Sequence, residues 1–170
     1  MNLDFIRRTW AEIDLDAIAH NYYEIRKKIK PDTKMCCVVK ADAYGHGAAT
    51  IAREYEALGA EWLAVSNLEE AEEIRGAGVR LPVLILGYTP PSEAGLLVRW
   101  RLTQAVVDEP YARQLAAQGR RVRVQLAADT GMHRLGVPAS ELASFRRIYR
   151  LPRLRFTGLF SHLCAANSFE

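Results

Sequence analysis

The chain has 170 residues, 49% of them hydrophobic and 25% charged, the proportions of one soluble globular domain and not of a disordered or collagen-like chain. Its 23 basic and 20 acidic side chains leave a formal charge of +3, a small and dispersed excess that favours neither nucleic acid nor an anionic membrane surface as partner. The basic residues are lopsided: five lysines, none beyond Lys40, stand against eighteen arginines.

In chain order, the first fourteen residues lack the apolar core of a secretory signal, and no apolar stretch approaches the roughly 18 residues of a membrane span. A cytoplasmic segment without membrane contact is expected. Asp16–Lys30 places Ile18, Tyr22, Ile25 and Ile29 three or four apart, one face of a helix. Six short apolar runs follow: Met35–Val39, Trp62–Val65, Val83–Leu86, Thr103–Val107, Arg121–Leu126 and Phe156–Phe160. Their continuous apolar character predicts parallel strands buried on both faces. Helical periodicity recurs between them over Ala48–Leu58, Leu68–Ala77, Ser92–Arg99, Pro110–Gln118 and Ala139–Tyr149. Asn67 is expected as an N-cap, and Gly59, Gly78 and Gly119 sit where C-caps belong. Glu69, Glu70, Glu72 and Glu73 read as a solvated acidic face near a helix start. Cys36, Cys37 and Cys164 have no metal-ligand spacing and no even disulfide framework, so they read as reduced thiols of an intracellular protein.

A strand about every 20 to 25 residues, separated by helices, predicts βα units and a parallel sheet. An open doubly wound sheet and an eight-stranded barrel are the two closures. The missing G-x-G-x-x-G after Val39 weakens the first. A full barrel takes about 250 residues, so six βα steps would leave it two strands short. The expected fold is an α/β, TIM-type (β/α) barrel truncated after about six strands, with residues 1–170 forming one incomplete domain. Its two unpaired edges are expected to promote self-association.

Lys40 ends the first strand. There an amine faces the barrel mouth, where active sites lie, and desolvation frees its lone pair for Schiff-base formation. The competing reading is a strand-end lysine reaching into solvent, and the position alone does not decide. The string Lys40-Ala41-Asp42-Ala43-Tyr44-Gly45-His46-Gly47 resembles the signature of the alanine racemase family, barrel enzymes that use pyridoxal 5′-phosphate (PLP). Thr9–Leu15 with Asn21, Asp129–Gly136 (DTGMHRLG) and Phe160–Cys164 extend the resemblance over essentially the whole chain. Leu86–Pro90 and Leu102–Gln104 look more like the racemase domain of membrane-bound serine/alanine racemases from vancomycin-resistance clusters.

The resemblance implies roles. Lys40 would hold PLP and act as acid/base on one face of the substrate α-carbon. Tyr44 would bind the cofactor phosphate. Arg134 would hydrogen-bond the cofactor's phenolic oxygen and help place the substrate carboxylate, and His162 would pack against the ring. His20, His46 and His133 are expected to make only loop hydrogen bonds or contacts with solvent. The implied reaction interconverts L- and D-alanine, or serine, for peptidoglycan precursors, and the full-length protein would be a homodimer. Two departures stand out. Many family members carry a lysine, open to carbamylation, where Ala127 stands. The opposite-face tyrosine, the arginine facing the pyridine nitrogen and most of the phosphate-binding backbone would lie beyond Glu170. With one proton donor where racemisation needs two, the chain alone is expected to be inactive. The alternatives are a PLP-binding fragment without catalysis and a fold-related PLP amino-acid decarboxylase, against which the YGHG and DTGMHRLG strings argue.

Overall fold

The computed structural model describes residues 10–165. Asp14 opens the first helix by accepting a hydrogen bond from Ala17 N at 3.1 Å, and α1 runs Leu15–Lys28. There follow β1 (Cys36–Val38), a single turn α2 (Lys40–Gly45), α3 (Ala48–Ala57), β2 (Trp62–Val65), α4 (Leu68–Gly76) and β3 (Val83–Ile85). A 3-10 turn (Pro91–Glu93) leads into α5 (Ala94–Arg99), then come β4 (Thr103–Val106), α6 (Glu109–Ala117), β5 (Val122–Asp129), β6 (Val137–Pro138), α7 (Leu142–Tyr149) and β7 (Leu154–Ser161).

The strands form one parallel sheet. From β1 to β5 they pair in sequence order, β7 pairs with β5, and β6 meets only Ala128 and Asp129 at the end of β5. The order never reverses, so the sheet has the winding of a barrel wall and lacks the switch point of a doubly wound fold. It is an open arc: among the described residues β1 pairs only with β2 and β7 only with β5. One row of each strand, including Val39, Leu63, Ile85, Val106 and Leu126, packs on Ile51, Ile74, Leu97, Leu115 and Ile148 of the helices, all buried. Burying each such Leu or Ile side chain contributes about 1.5–3 kcal/mol. No helix among the described residues is long and apolar enough to cross a membrane.

Burial on both faces holds through most of β2–β4 and fails at the ends of the arc. Cys36 and Val38 of β1 are exposed, and β7 alternates between covered and open residues. The concave face there meets solvent, because among the described residues no strand pairs beyond β1 or β7. Two short features depart from the expected pattern: β6, and the helix begun at Leu142 instead of Ala139, because Val137 and Pro138 continue as strand. Gly59, Gly78 and Gly119 follow α3, α4 and α6 with φ of +91°, +88° and +73°, as helix C-caps require. The acidic face of α4 is not simply solvated. Glu72 accepts the Trp100 indole N–H at 2.7 Å, and Glu70 is engaged with two loops.

Candidate functional site

Lys40 owes its place to the end of β1. Val39 is fully buried on the helix side, and Val39 N donates to Ala64 O at 2.9 Å, extending the ladder one residue past β1. Side chains alternate across a strand, so Cys36 and Val38 belong to the concave face, and Lys40, the next residue after Val39, is half-buried at the C-terminal rim. Among the described residues the Lys40 amine has no ion-pair partner.

The turn after Lys40 is left-handed. Ala41, Asp42, Ala43 and Tyr44 have φ between 51° and 57°, and nothing in the residue types signals this. Local bonds close it. Ala43 N donates to Val39 O at 3.0 Å, Gly47 N to Asp42 O at 3.0 Å, and Ala48 N to Asp42 Oδ1 at 2.6 Å. His46 Nδ1 lies 2.8 Å from Ala43 O. Glu70 fastens the turn from outside: Oε1 accepts from Ala41 N at 2.8 Å, and Oε2 from Ser66 N and Ser66 Oγ at 2.7 and 2.8 Å. Burial works to raise the Glu70 pKa, but the hydrogen bonds from Ser66, Ala41 and Asn67 hold it below the ordinary carboxylate value. Glu70 was not among the residues expected at the site, although the Asn67-x-x-Glu70 spacing of a capping box was the available signal. Asn67 Oδ1 does accept from Glu70 N, at 2.9 Å. Tyr44 stands 61% exposed.

The DTGMHRLG string forms the loop between β5 and β6. Asp129 Oδ1 accepts from Gly131 N and His133 N, each at 3.0 Å, while Oδ2 lies 2.9 Å from His133 Nδ1. The two amides, with His133 adding to them, pull the Asp129 carboxyl down to about 2. Thr130 Oγ1 and Ser161 Oγ meet at 2.5 Å and tie the loop to the end of β7. Gly136 has φ +117°, and a Cβ there would lie 2.9 Å from Asp129 N and 3.1 Å from Ala127 O. Only glycine lets the chain return against β5 at this point.

Arg134 and His162 line one small cavity of about 60 Å³ with Leu86, Ala127, Met132 and Phe160. Arg134 also borders an open pocket of about 290 Å³ beside Asp108 and His133. Ala127 contributes only a methyl group to the first cavity, so no carboxylate stands at that position. All four expected site residues therefore occupy the C-terminal rim. Arg134 and His162 share a cavity, whereas Lys40 and Tyr44 follow β1 and do not line it. The rim thus offers an unpaired amine, a phenol, a forked guanidinium and an imidazole, which suit a carbonyl compound bearing anionic groups.

The family description "Alanine racemase, N-terminal domain" matches residues 13–170. The alanine racemase of Desulfovibrio desulfuricans is 42% identical over 173 aligned residues, 99% of this chain and 47% of that protein. The serine/alanine racemase of Enterococcus gallinarum is 40% identical, over 95% of this chain and 23% of its own length. Among solved structures, the alanine racemase of Bacillus anthracis with bound L-Ala-P superposes with a TM-score of 0.90 at 32% identity, covering 98% of this chain and 44% of that one. The chain spans about half, or less, of the length of these relatives.

Proposed function

The chain belongs to the alanine racemase family, and from that premise we propose that it is the cofactor-lysine part of a racemase acting on alanine or serine, with PLP as cofactor. The observation that carries the reading is the half-buried, unpaired amine of Lys40 at the sheet's C-terminal rim, fixed from behind by Glu70. The residues fit the cofactor. An aldehyde group needs an amine free of ion pairs, and a phosphate and a phenolic oxygen need the hydroxyl and guanidinium donors that Tyr44 and Arg134 supply.

When bound, PLP supplies the electron sink that spreads the charge left as the substrate Cα–H bond breaks. Lys40 Nζ would hold the cofactor and would move the proton on one face of Cα. Tyr44 Oη would hold its phosphate. The Arg134 guanidinium would donate to the phenolic oxygen and help orient the substrate carboxylate, and the His162 imidazole would pack beside the ring. With Ala127 unable to steady Arg134, the Asp129 clasp sets the position of its loop. Racemisation also needs a proton donor on the opposite face, which this reading places in the remainder of a longer, dimeric protein.

The test is to incubate the chain with PLP, reduce with borohydride and map the product. One adduct, on Lys40, is expected. An adduct on Lys27, Lys28, Lys30 or Lys34, or no adduct, overturns the reading. The Ala127 methyl favours a second reading, cofactor binding without turnover. Chiral analysis of L-alanine incubated with the loaded chain is expected to show no D-alanine, and measurable conversion would refute the assignment of the second donor elsewhere.

A further inference from the structure

The positive charge that is dispersed along the sequence is gathered by the fold. Residues 75–170 hold fourteen arginines against six carboxylate side chains, and half of those arginines line two adjoining cavities at the N-terminal end of the sheet, opposite the rim. The first cavity, about 190 Å³, is walled by Arg101, Arg121, Arg123 and Arg155 over Leu97 and Leu102. The second, about 440 Å³, shares Arg101 and Arg123 and adds Arg75, Arg80 and Arg99 around Trp100.

Among the described residues no carboxylate lines either cavity. Glu56, which acts on the charge of Arg75, accepts the amides of Arg80 and Leu81 at 2.8 and 3.0 Å, and Glu72 accepts the Trp100 indole. Among the described residues none of these seven arginines forms an ion pair. Arg75 spends donors on the carbonyls of Trp100 and Val79 at 3.0 and 2.9 Å. Arg99 lies 5.4 Å from the centroid of the Trp100 ring. Arg123 and Arg155 stand in register on neighbouring strands, a like-charged pairing that costs stability unless an anion sits between them.

Guanidinium forks gathered along adjoining cavities, with no ion-pair partner among the described residues, make a receptor for a compact multivalent anion. We propose that this end of the sheet binds a polyphosphate, a di- or triphosphate group held between the Arg101–Arg123–Arg155 cluster and the Trp100 pocket. Linked phosphates bring several charges and many acceptor oxygens into a volume of this size, which a lone carboxylate cannot do. The site is independent of the racemase reading, since no rim residue takes part in it.

The experiment is calorimetric titration of the 170-residue chain with inorganic tripolyphosphate at physiological ionic strength, with citrate and sulfate as comparison anions. One tripolyphosphate per chain is expected, bound at least about tenfold more tightly than either. The double variant Arg123→Gln/Arg155→Gln should weaken it by about tenfold or more, whereas Arg146→Gln/Arg150→Gln, removing equal charge from α7 and its end, should change it less than about twofold. Arg123→Lys keeps the charge and loses the fork, so it should fall between. Relief of the like-charged pair keeps the first variant folded, which circular dichroism checks. Equal weakening by both double variants, citrate binding as tight as tripolyphosphate, or no saturable binding overturns the proposal. So does loss of binding in a version extended to the relatives' full length, because the polypeptide's own carboxylates would then fill the site.

Discussion

Gly136→Ala tests how the Arg134 loop is built. The added methyl would sit 2.9 Å from Asp129 N and 3.1 Å from both Ala127 O and the carbonyl carbon of Ala128, at a φ of +117°. All three are backbone atoms of β5, held in the ladders to β7 and β6, so they cannot rotate away as a side chain would. A non-glycine residue in that region of φ costs about 1–3 kcal/mol, and crowding of a rigid neighbour about as much again. At about 2–4 °C per kcal/mol for a chain of this size, the melting temperature should fall by roughly 5–15 °C. Gly95→Ala is the opposite case: Gly95 lies inside α5, with nothing within 4 Å of where the added methyl would stand, and alanine should raise stability by about 0.5–1 kcal/mol through helix propensity. Thermal unfolding followed by circular dichroism reads both. If Gly136→Ala melts within a degree or two of the parent, the close approach of the loop to β5 is wrong, and so is the account of the DTGMHRLG string.

Three further outcomes are expected. Glu70→Ala removes the two carboxylate oxygens that accept from Ala41 and Ser66, and hydrogen exchange at those two amides should accelerate by roughly tenfold; unchanged exchange would show that Glu70 does not hold the turn. Because the Asp129 carboxyl is lowered from 3.8 to about 2, the clasp contributes its stability above pH 3.8 and loses it as pH falls toward 2. The Asp129 carboxyl carbon resonance should therefore titrate in that acidic window, and a midpoint for it near pH 4 or above contradicts the clasp. Cys37, half-buried, borders an apolar groove with Tyr22, Ile25 and Ile29, and burial pushes its thiol up to about 11 from 9.0. Its thiolate fraction at pH 8 should be about a hundredfold below that of an ordinary thiol, so mass-spectrometric alkylation should find it slow, and labelling at the rate of a free thiol would contradict the burial.

The βα rhythm was legible because central strands of a parallel sheet must be apolar on both faces, and because Gly59, Gly78 and Gly119 mark the ends of three helices. The same rule misled at the margins. Leu154-Arg155-Phe156 already alternates in the sequence, and the structure shows why: the concave face beside β7 is open. The left-handed turn at Ala41–Tyr44 was not legible, since Ala41, Ala43 and Tyr44 carry no local preference for that conformation and, beside the local bonds that close it, the turn is anchored by Glu70, 29 residues from Ala41. Of the site, strand position placed Lys40 on the rim, and the aspartate and glycines of the DTGMHRLG string have local physical reasons. That Arg134 and His162 would meet over Ala127 depends on the β5–β7 pairing, which joins segments far apart in the chain. The arginine cluster was invisible as a net charge of +3, because charge counted along a chain says nothing about which ends of strands the fold collects.

Winding four L-residues against their natural hand costs about 1–2 kcal/mol apiece, a large debit beside the stability of an ordinary domain. Local bonds close that turn, but the peptide N–H following Lys40 is held by Glu70 of the neighbouring βα unit, so a chain in which β2 and α4 have yet to dock lacks the anchor that fixes the backbone beside the amine. Lys40 is in this sense armed by tertiary structure: its reactivity toward an aldehyde becomes a readout of whether the first two βα units have come together.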